Sequence, residues 1–268
     1  MVFEPDKWQA FLLCAGVGNR LKPYTDDLPK PLMPIGNFPI LEYWLSKLNL
    51  IGINKVLVNV HHHRDQLVSF LKRDCFIDWL SFSIEEKLLG TAGAIRENVS
   101  FFDPNKSTLL IHADNWSDCD LKSFLEFHKE KRSQYSPMTM MVFNTEKPKD
   151  CGIVKICNQG IVQHFEEKSD KPSSTLANAA VYGLEHEVIK WIAGKSNVID
   201  FSTQVIPNYT GRISTWLNEH THIDIGSVEG LKKARCQKQQ LTRWHKLNDR
   251  WRQKYKLHSI HSKLNALP

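Results

Sequence analysis

The chain has 268 residues, 41% of them hydrophobic and 24% charged, with a formal net charge of +6. That length and apolar share are enough to bury one sizeable core, and no run of 18 apolar residues exists to make a membrane-spanning helix. The charge is uneven: from Leu231 onward there are 11 Lys and Arg against one acid, Asp249, whereas the first 230 residues carry 24 basic and 28 acidic side chains. Basicity therefore belongs to the tail, and nucleic acid is not an expected partner of the body. The cysteines (Cys14, Cys75, Cys119, Cys151, Cys157 and Cys236) form no C-x-x-C pair and no metal spacing. Met1 to Lys7 lacks the basic start and apolar core of a secretory leader, so a reduced, cytoplasmic protein is the expectation.

In chain order, the apolar run 10–13 predicts a buried strand. It turns into Gly16-Val17-Gly18-Asn19-Arg20, where two glycines let the backbone approach a ligand and turn its N–H groups outward, a device for cradling phosphate. Lys30 follows between Pro29 and Pro31, whose rings stiffen the segment that carries it. A glycine turn with two cations suits a polyphosphate. Two familiar phosphate motifs fail here: Leu21 stands where a dinucleotide fingerprint needs its third glycine, and no Walker A loop is present.

Strand-like and helix-like segments then alternate, the pattern of an α/β fold with a largely parallel sheet. Ile40 to Leu50 reads as a helix ended by Gly52, and 55–60 as a strand running into His61-His62-His63. Three adjacent imidazoles do not converge readily on one ion, so these histidines read as loop residues. A helix near 65–73 and a strand at 82–85 lead to Leu88-Leu89-Gly90-Thr91-Ala92-Gly93-Ala94. Two readings fit that stretch: small residues against which a flat base lies, or a tight strand-to-helix turn packed on the core. The strand 108–113 ends in Asp114, an acid placed at a sheet's carboxyl edge where it suits a hard cation. Asp120 reads as the N-cap of an amphipathic helix over 121–131. Further strands are predicted at 138–143, from Gly152, at 161–165, at 176–182 and at 212–217, with a helix from Asp200 ended by Pro207. Asp224-Ile225-Gly226 precedes a helix for which Ser227 reads as the cap.

Three pieces in register carry a resemblance: the glycine turn, Arg20-Leu21-Lys22-Pro23-Tyr24-Thr25 and Pro29-Lys30-Pro31-Leu32. Together they resemble the signature of the sugar-1-phosphate nucleotidyltransferases. The resemblance implies a single Rossmann-like α/β domain over 1–230, with a mostly parallel mixed sheet flanked by helices. Its nucleotide-binding half would be about 1–135 and its sugar-binding half about 136–230, followed by a basic helical tail over 231–268. It implies nucleotide contacts at Ala15, Gly16, Gly18, Gly90, Thr91 and Ala92, and catalytic roles for Arg20 and Lys30. Sugar contacts would fall at Gly152, Glu167, Lys168 and Asn178. For Glu167 and Lys168 a surface charge cluster is the alternative. Magnesium would be shared by Asp114 and Asp224; the family usually has a glycine where Ala113 stands.

The implied reaction is direct in-line attack by a sugar 1-phosphate on a nucleoside triphosphate, releasing pyrophosphate. Stretches such as VNVHH, EEKLLGTAGAI and LANAAVY look most like mannose- or heptose-1-phosphate guanylyltransferases, which favours GTP and a role in polysaccharide synthesis. UTP, dTTP or CTP with another sugar is the alternative. Non-catalytic regulatory relatives tend to lose the Arg, the Lys or a metal acid, and this chain keeps all four. In the tail, Leu241, Trp244, Leu247, Trp251 and Tyr255 recur at helical spacing. They suit an aromatic face packed on the body or on a sister subunit in a homo-oligomer. A basic amphipathic helix touching anionic lipid or nucleic acid is the competing reading.

Overall fold

The computed structural model describes residues 3–237 and 241–266. The strands are β1 (Trp8–Leu13), β2 (Pro34–Ile35), β3 (Phe38–Pro39), β4 (Val56–Val60), β5 (Leu80–Ile84), β6 (Ser107–His112), β7 (Asn115–Ser117), β8 (Met138–Asn144), β9 (Gly152–Ile156), β10 (Val162–Glu167), β11 (Leu176–Leu184), β12 (Ile213–Leu217) and β13 (His222–Asp224). The helices are α1 (Tyr24–Asp27), α2 (Ile40–Leu50), α3 (Arg64–Leu71), α4 (Thr91–Glu97), α5 (Leu121–Glu130), α6 (His186–Ala193), α7 (Ile206–Tyr209), α8 (Val228–Arg235), α9 (Arg250–Lys256) and α10 (Ile260–Asn265). No described helix is long and apolar enough to cross a membrane. The chain divides into two compact units: one of Met1–Phe11, Leu89–Ile111 and Asp118–His222, and a second of Leu12–Leu88, His112–Ser117 and Ile223–Pro268.

In unit one the strand order is β10-β9-β11-β6-β1, with β8 paired to both β11 and β12. β11 runs antiparallel to β6, β8 and β9, while β12 runs parallel to β8. Its register against β8 shifts between Asn178 and Tyr182, where Ala180 has a φ of 53°. The polar Gln9 is fully buried in β1 and is satisfied by Thr108 Oγ1 at 3.1 Å and the Asp103 carbonyl at 3.2 Å. Helix α5 begins where Asp120 accepts from the Ser123 amide at 3.0 Å, and it buries Leu121, Phe124, Leu125 and His128. The turn beginning at Phe201 is capped by Asp200, as its sequence suggests, but Pro207 does not end the helix. It stands in the first turn of α7, where a missing N–H is no loss.

His128 carries a consequence for stability. It is fully buried between Thr139 Oγ1 at 2.8 Å and Glu185 Oε1 at 3.0 Å. Burial outweighs the pull of Glu185 and lowers the imidazole pKa to about 4. An unfolded histidine takes its proton near pH 6.5. Between those values the unfolded chain binds more protons than the native one, so stability should fall as the pH drops through that window, by about 3 kcal/mol for this group alone. Urea midpoints measured from pH 7 down to pH 4 test this, and His128→Gln should flatten the slope.

In unit two β4 and β5 pair in parallel, Val56 opposite Leu80 and Val60 opposite Ile84. Every residue of β4 is buried, as expected of a parallel strand covered on both faces. Helix α2 spans the residues its periodicity predicts and buries Ile40, Leu41, Trp44, Leu45 and Leu48. It also buries Glu42 completely. Arg73 Nη1 reaches Glu42 at 2.9 Å, Arg252 Nη2 at 2.5 Å and Thr242 Oγ1 at 2.7 Å. Arg73 Nε also bonds Asp249 at 2.7 Å.

The tail thus belongs to unit two, although not as one continuous helix. Residues 242–247 form turns, and α9 starts only where Asp249 accepts from the Arg252 amide at 2.8 Å. Trp244 lies against Phe76 at 5.0 Å, and Trp251 against Phe70 at 4.8 Å. The helical spacing of the aromatics is therefore met by a turn and a short helix, with Leu241 left 68% exposed.

Candidate active site

Unit two gathers the charged residues that the sequence singles out. The chain leaves β1 through Cys14 and Ala15, both buried, into the glycine turn. Gly18 has a φ of +72°, and a Cβ there would stand 2.9 Å from Thr25 Cγ2 and 3.4 Å from Lys30 Cβ. Only glycine tolerates both the conformation and the contact. At Gly16 a Cβ would meet no described atom within 4 Å. Packing does not demand glycine there, and the open side leaves room for a ligand's phosphates. Arg20 follows in the single turn Asn19–Leu21 and is exposed.

Lys30 sits in the turn Lys30–Leu32 with only 7% of its side chain exposed. Its Nζ lies 2.7 Å from Asp114 Oδ2 and 3.5 Å from Asp224 Oδ1. Arg20 Nη2 lies 3.3 Å from Asp224 Oδ2. Two acids and two cations separated by up to 204 positions therefore form one cluster. Burial works against ionisation of Asp114, but the Lys30 charge and then His112 overcome it and hold the carboxyl below its usual range. The cluster suits hard-ion chemistry: both carboxylates converge on one cationic centre and remain partly open to solvent. Such a pair fits an ion that takes one or two carboxylates and completes its shell from phosphate and water.

The backbone fixes these acids as neighbours. The Ile225 amide donates to the Asp114 carbonyl at 3.3 Å, and the Ala113 amide to the Leu13 carbonyl at 3.2 Å. Trp44 Nε1 donates to the Asn115 carbonyl at 2.8 Å. Beneath the glycine turn, Asn59 Oδ1 accepts from the Cys14 amide at 2.7 Å while its Nδ2 donates to Glu85 Oε1 at 2.7 Å. Burial, and then the Asp114 charge, push the Cys14 thiol well above its ordinary pKa, which keeps it protonated. The histidines after β4 serve as struts: His61 Nδ1 bonds the Glu85 carbonyl at 2.9 Å and His63 Nε2 the Thr25 carbonyl at 2.9 Å. Sequence reading misses two glycines. A Cβ on Gly226 would stand 2.6 Å from Arg20 Nη2 and 2.7 Å from Asp224 Oδ1, and one on Gly230 would stand 2.0 Å from the Asp224 carbonyl. The signal was present in the Asp-Ile-Gly spacing; the firm demand is at Gly230, where the chain folds back within six residues onto the Asp224 carbonyl.

Unit one holds the remaining candidates. Gly90 has a φ of +76°, and a Cβ there would meet the Ile199 carbonyl at 2.4 Å. The Ala92 amide bonds that carbonyl at 2.9 Å, and Thr91 Oγ1 accepts from the Phe201 amide at 2.6 Å. These contacts are those of a tight turn starting α4, in which Thr91 and Ala92 bond within unit one. Gly152 and Glu167 are register partners on β9 and β10, and a Cβ on Gly152 would meet Glu167 Oε2 at 2.8 Å. Lys168, at a φ of 49°, places Nζ 3.4 Å from Glu167 Oε1. On β11, Asn178 Nδ2 donates to Tyr182 Oη at 2.6 Å, and Asn178 Oδ1 accepts from the Ala180 amide at 3.0 Å. Burial, opposed by the Asn178 bond and reinforced by the Glu167 charge, raises the Tyr182 pKa, so its hydroxyl keeps its proton. The Tyr182 hydroxyl meets Asn178 where the β11 register shifts.

The fold and this charged cluster at strand ends define a Rossmann-like α/β protein, and solved structures share the architecture. HddC from Yersinia pseudotuberculosis matches with a TM-score of 0.71 at 24% identity, over 85% of this chain and 97% of that one. The chain belongs to the nucleotidyl transferase family, whose model matches residues 9–240. It is 27% identical over 233 residues to the mannose-1-phosphate guanyltransferase of Aspergillus fumigatus, covering 85% of this chain and 63% of that protein. It is 31% identical over 180 residues to the D-glycero-alpha-D-manno-heptose 1-phosphate guanylyltransferase of Campylobacter jejuni, covering 67% and 77%. The chain therefore spans less than two thirds of the length of the Aspergillus relative.

Proposed function

We propose that this chain transfers a nucleotidyl group from a nucleoside triphosphate, GTP by preference, to a mannose- or heptose-type sugar 1-phosphate, releasing pyrophosphate. The NDP-sugar formed would supply polysaccharide or glycoconjugate synthesis. The observation that carries the reading is Lys30 buried against two carboxylates, with Arg20 at their edge. Similarity to guanylyltransferases acting on manno-configured sugars supports the choice of substrates.

The nucleophile, a phosphate oxygen, is already anionic at neutral pH, so no general base is required. The obstacle is repulsion between two anions and charge building on departing pyrophosphate. Catalysis of that kind is positioning and electrostatics. Lys30, held rigidly by the flanking prolines and by Asp114, presents a fixed ammonium to the α-phosphoryl group. Arg20, exposed and loosely held at 3.3 Å from Asp224, takes the β- and γ-phosphates. The backbone at Ala15, Gly16 and Gly18 lets the triphosphate approach. Asp114 and Asp224 would hold magnesium, which supplies neutralisation of the phosphate oxygens. In unit one, Glu167 and Asn178 accept from and donate to sugar hydroxyls, and Lys168 meets the sugar's phosphate.

Pyrophosphate release with magnesium, across GTP, UTP, dTTP, CTP and ATP paired with a panel of sugar 1-phosphates, tests this reading. Release with GTP and a manno-configured sugar phosphate, lost on adding EDTA, is the expected result. Release with another pair would keep the reaction and overturn the substrates. Nucleotide binding without release would leave a regulatory binding protein.

A further inference from the structure

The segment that carries Lys30 is gripped by the C-terminal tail, most of which lies beyond the family match that ends at residue 240. The segment's own bonds are few: the Leu32 amide to the Pro29 carbonyl at 2.8 Å and the Met33 amide to the Lys30 carbonyl at 3.0 Å. The tail adds contacts on either side of Lys30. Tyr255 Oη donates to the Leu32 carbonyl at 2.8 Å in a fully buried bond. Arg235 Nη1 donates to the Pro34 carbonyl at 3.1 Å, and its Nη2 to Asn265 Oδ1 at 2.6 Å. Lys263 pairs with the Asp27 carboxylate, and the Arg252 guanidinium lies over the Phe38 ring at 4.8 Å.

Tyr255 is itself held in place. Trp251 stacks on it at 4.7 Å, and His261 meets its edge at 5.0 Å. The tail's main anchor to unit two is a different set of contacts, the buried Glu42 with Arg252 and Thr242. Tyr255 and Arg235 take no part in that anchor, so their hold on the Leu32 and Pro34 carbonyls can be separated from it by substitution.

Positioning matters for a cation of this kind, because a displacement of about 1 Å can cost about a hundredfold in rate. We propose that the tail, through Tyr255 and Arg235, is the positioning device for Lys30. It sets the ammonium by holding the Leu32 and Pro34 carbonyls, and it touches no substrate. The proposal rests on the nucleotidyl-transfer reading of the cluster.

Tyr255→Phe removes one donor and keeps the ring. It should lower kcat about tenfold while leaving KM for the nucleotide within about twofold, the signature of a misplaced transition-state contact. Hydrogen exchange at the Leu32 and Met33 amides should quicken. In a Lys30→Ala background the same substitution should change kcat by less than about twofold, because its effect runs through the lysine. Trp244→Leu, which loosens the tail where it meets Phe76, should lower the melting temperature and spare kcat. Wild-type kcat in Tyr255→Phe, or an equal loss with and without Lys30, would overturn the proposal. Should the wild-type protein release no pyrophosphate from any substrate pair, the functional reading fails. The grip is then decided by exchange alone, and unchanged Leu32 and Met33 protection in Tyr255→Phe would overturn it.

Discussion

Lys30→Ala is expected to lower turnover about a hundredfold or more, the usual effect of removing one preorganised charge contact to a transition state. Lys30 Nζ is fixed 2.7 Å from Asp114 on a side chain 7% exposed, so no reorganisation is needed when charge spreads over the α-phosphorus. The acids keep their backbone supports in the variant, since the Ile225 amide still bonds the Asp114 carbonyl. They lose the cation between them, however, and the chief force depressing the Asp114 pKa disappears with it. Steady-state rates at saturating substrates, on a variant whose circular dichroism matches wild type, make the comparison. Unchanged turnover would remove Lys30 from the mechanism.

The second large effect is on stability. Glu42→Ala should destabilise unit two by about 3–5 kcal/mol, because it strands buried guanidinium groups in an apolar setting. Arg252 has 1% of its side chain exposed and Arg73 has 2%. Arg73 retains Asp249, but Arg252 loses its carboxylate and is left with the faces of Phe38 and Trp251. For a chain of this size the melting temperature should fall by about 10 °C. Thermal and urea unfolding measure it, and a loss under about 1 kcal/mol would mean that water reaches the arginines. Replacing Glu42, Arg73 and Arg252 together by apolar residues of similar volume should cost far less than the single change.

Local signals were readable in the sequence. Helix α2 occupies the residues its apolar spacing predicts, and Asp120, Asp200 and Ser227 each accept from a backbone amide at a helical start. The loop residues Arg20 and Lys30 meet Asp114 and Asp224, which the family resemblance had matched and composition alone had not. Long-range pairs were not readable. Glu42 has the spacing of a surface residue on an amphipathic helix, yet its partners stand 31 and 210 positions away. The Tyr255 bond to Leu32 spans 223 positions, so no periodicity carries it. The tail's aromatics gave a correct sense of burial and a wrong continuity, because the Asp249 cap restarts the chain as α9. The small residues around Gly90 fit a base or a turn equally well, and only the Ile199 carbonyl shows which contacts they make.

The most direct test of the account is pyrophosphate release by the full chain with GTP, mannose 1-phosphate and magnesium, run beside Lys30→Ala. Metal-dependent release by the wild-type protein, and a rate about a hundredfold lower in the variant, are the expected results. Equal release by both proteins, or release that persists in EDTA, would contradict it.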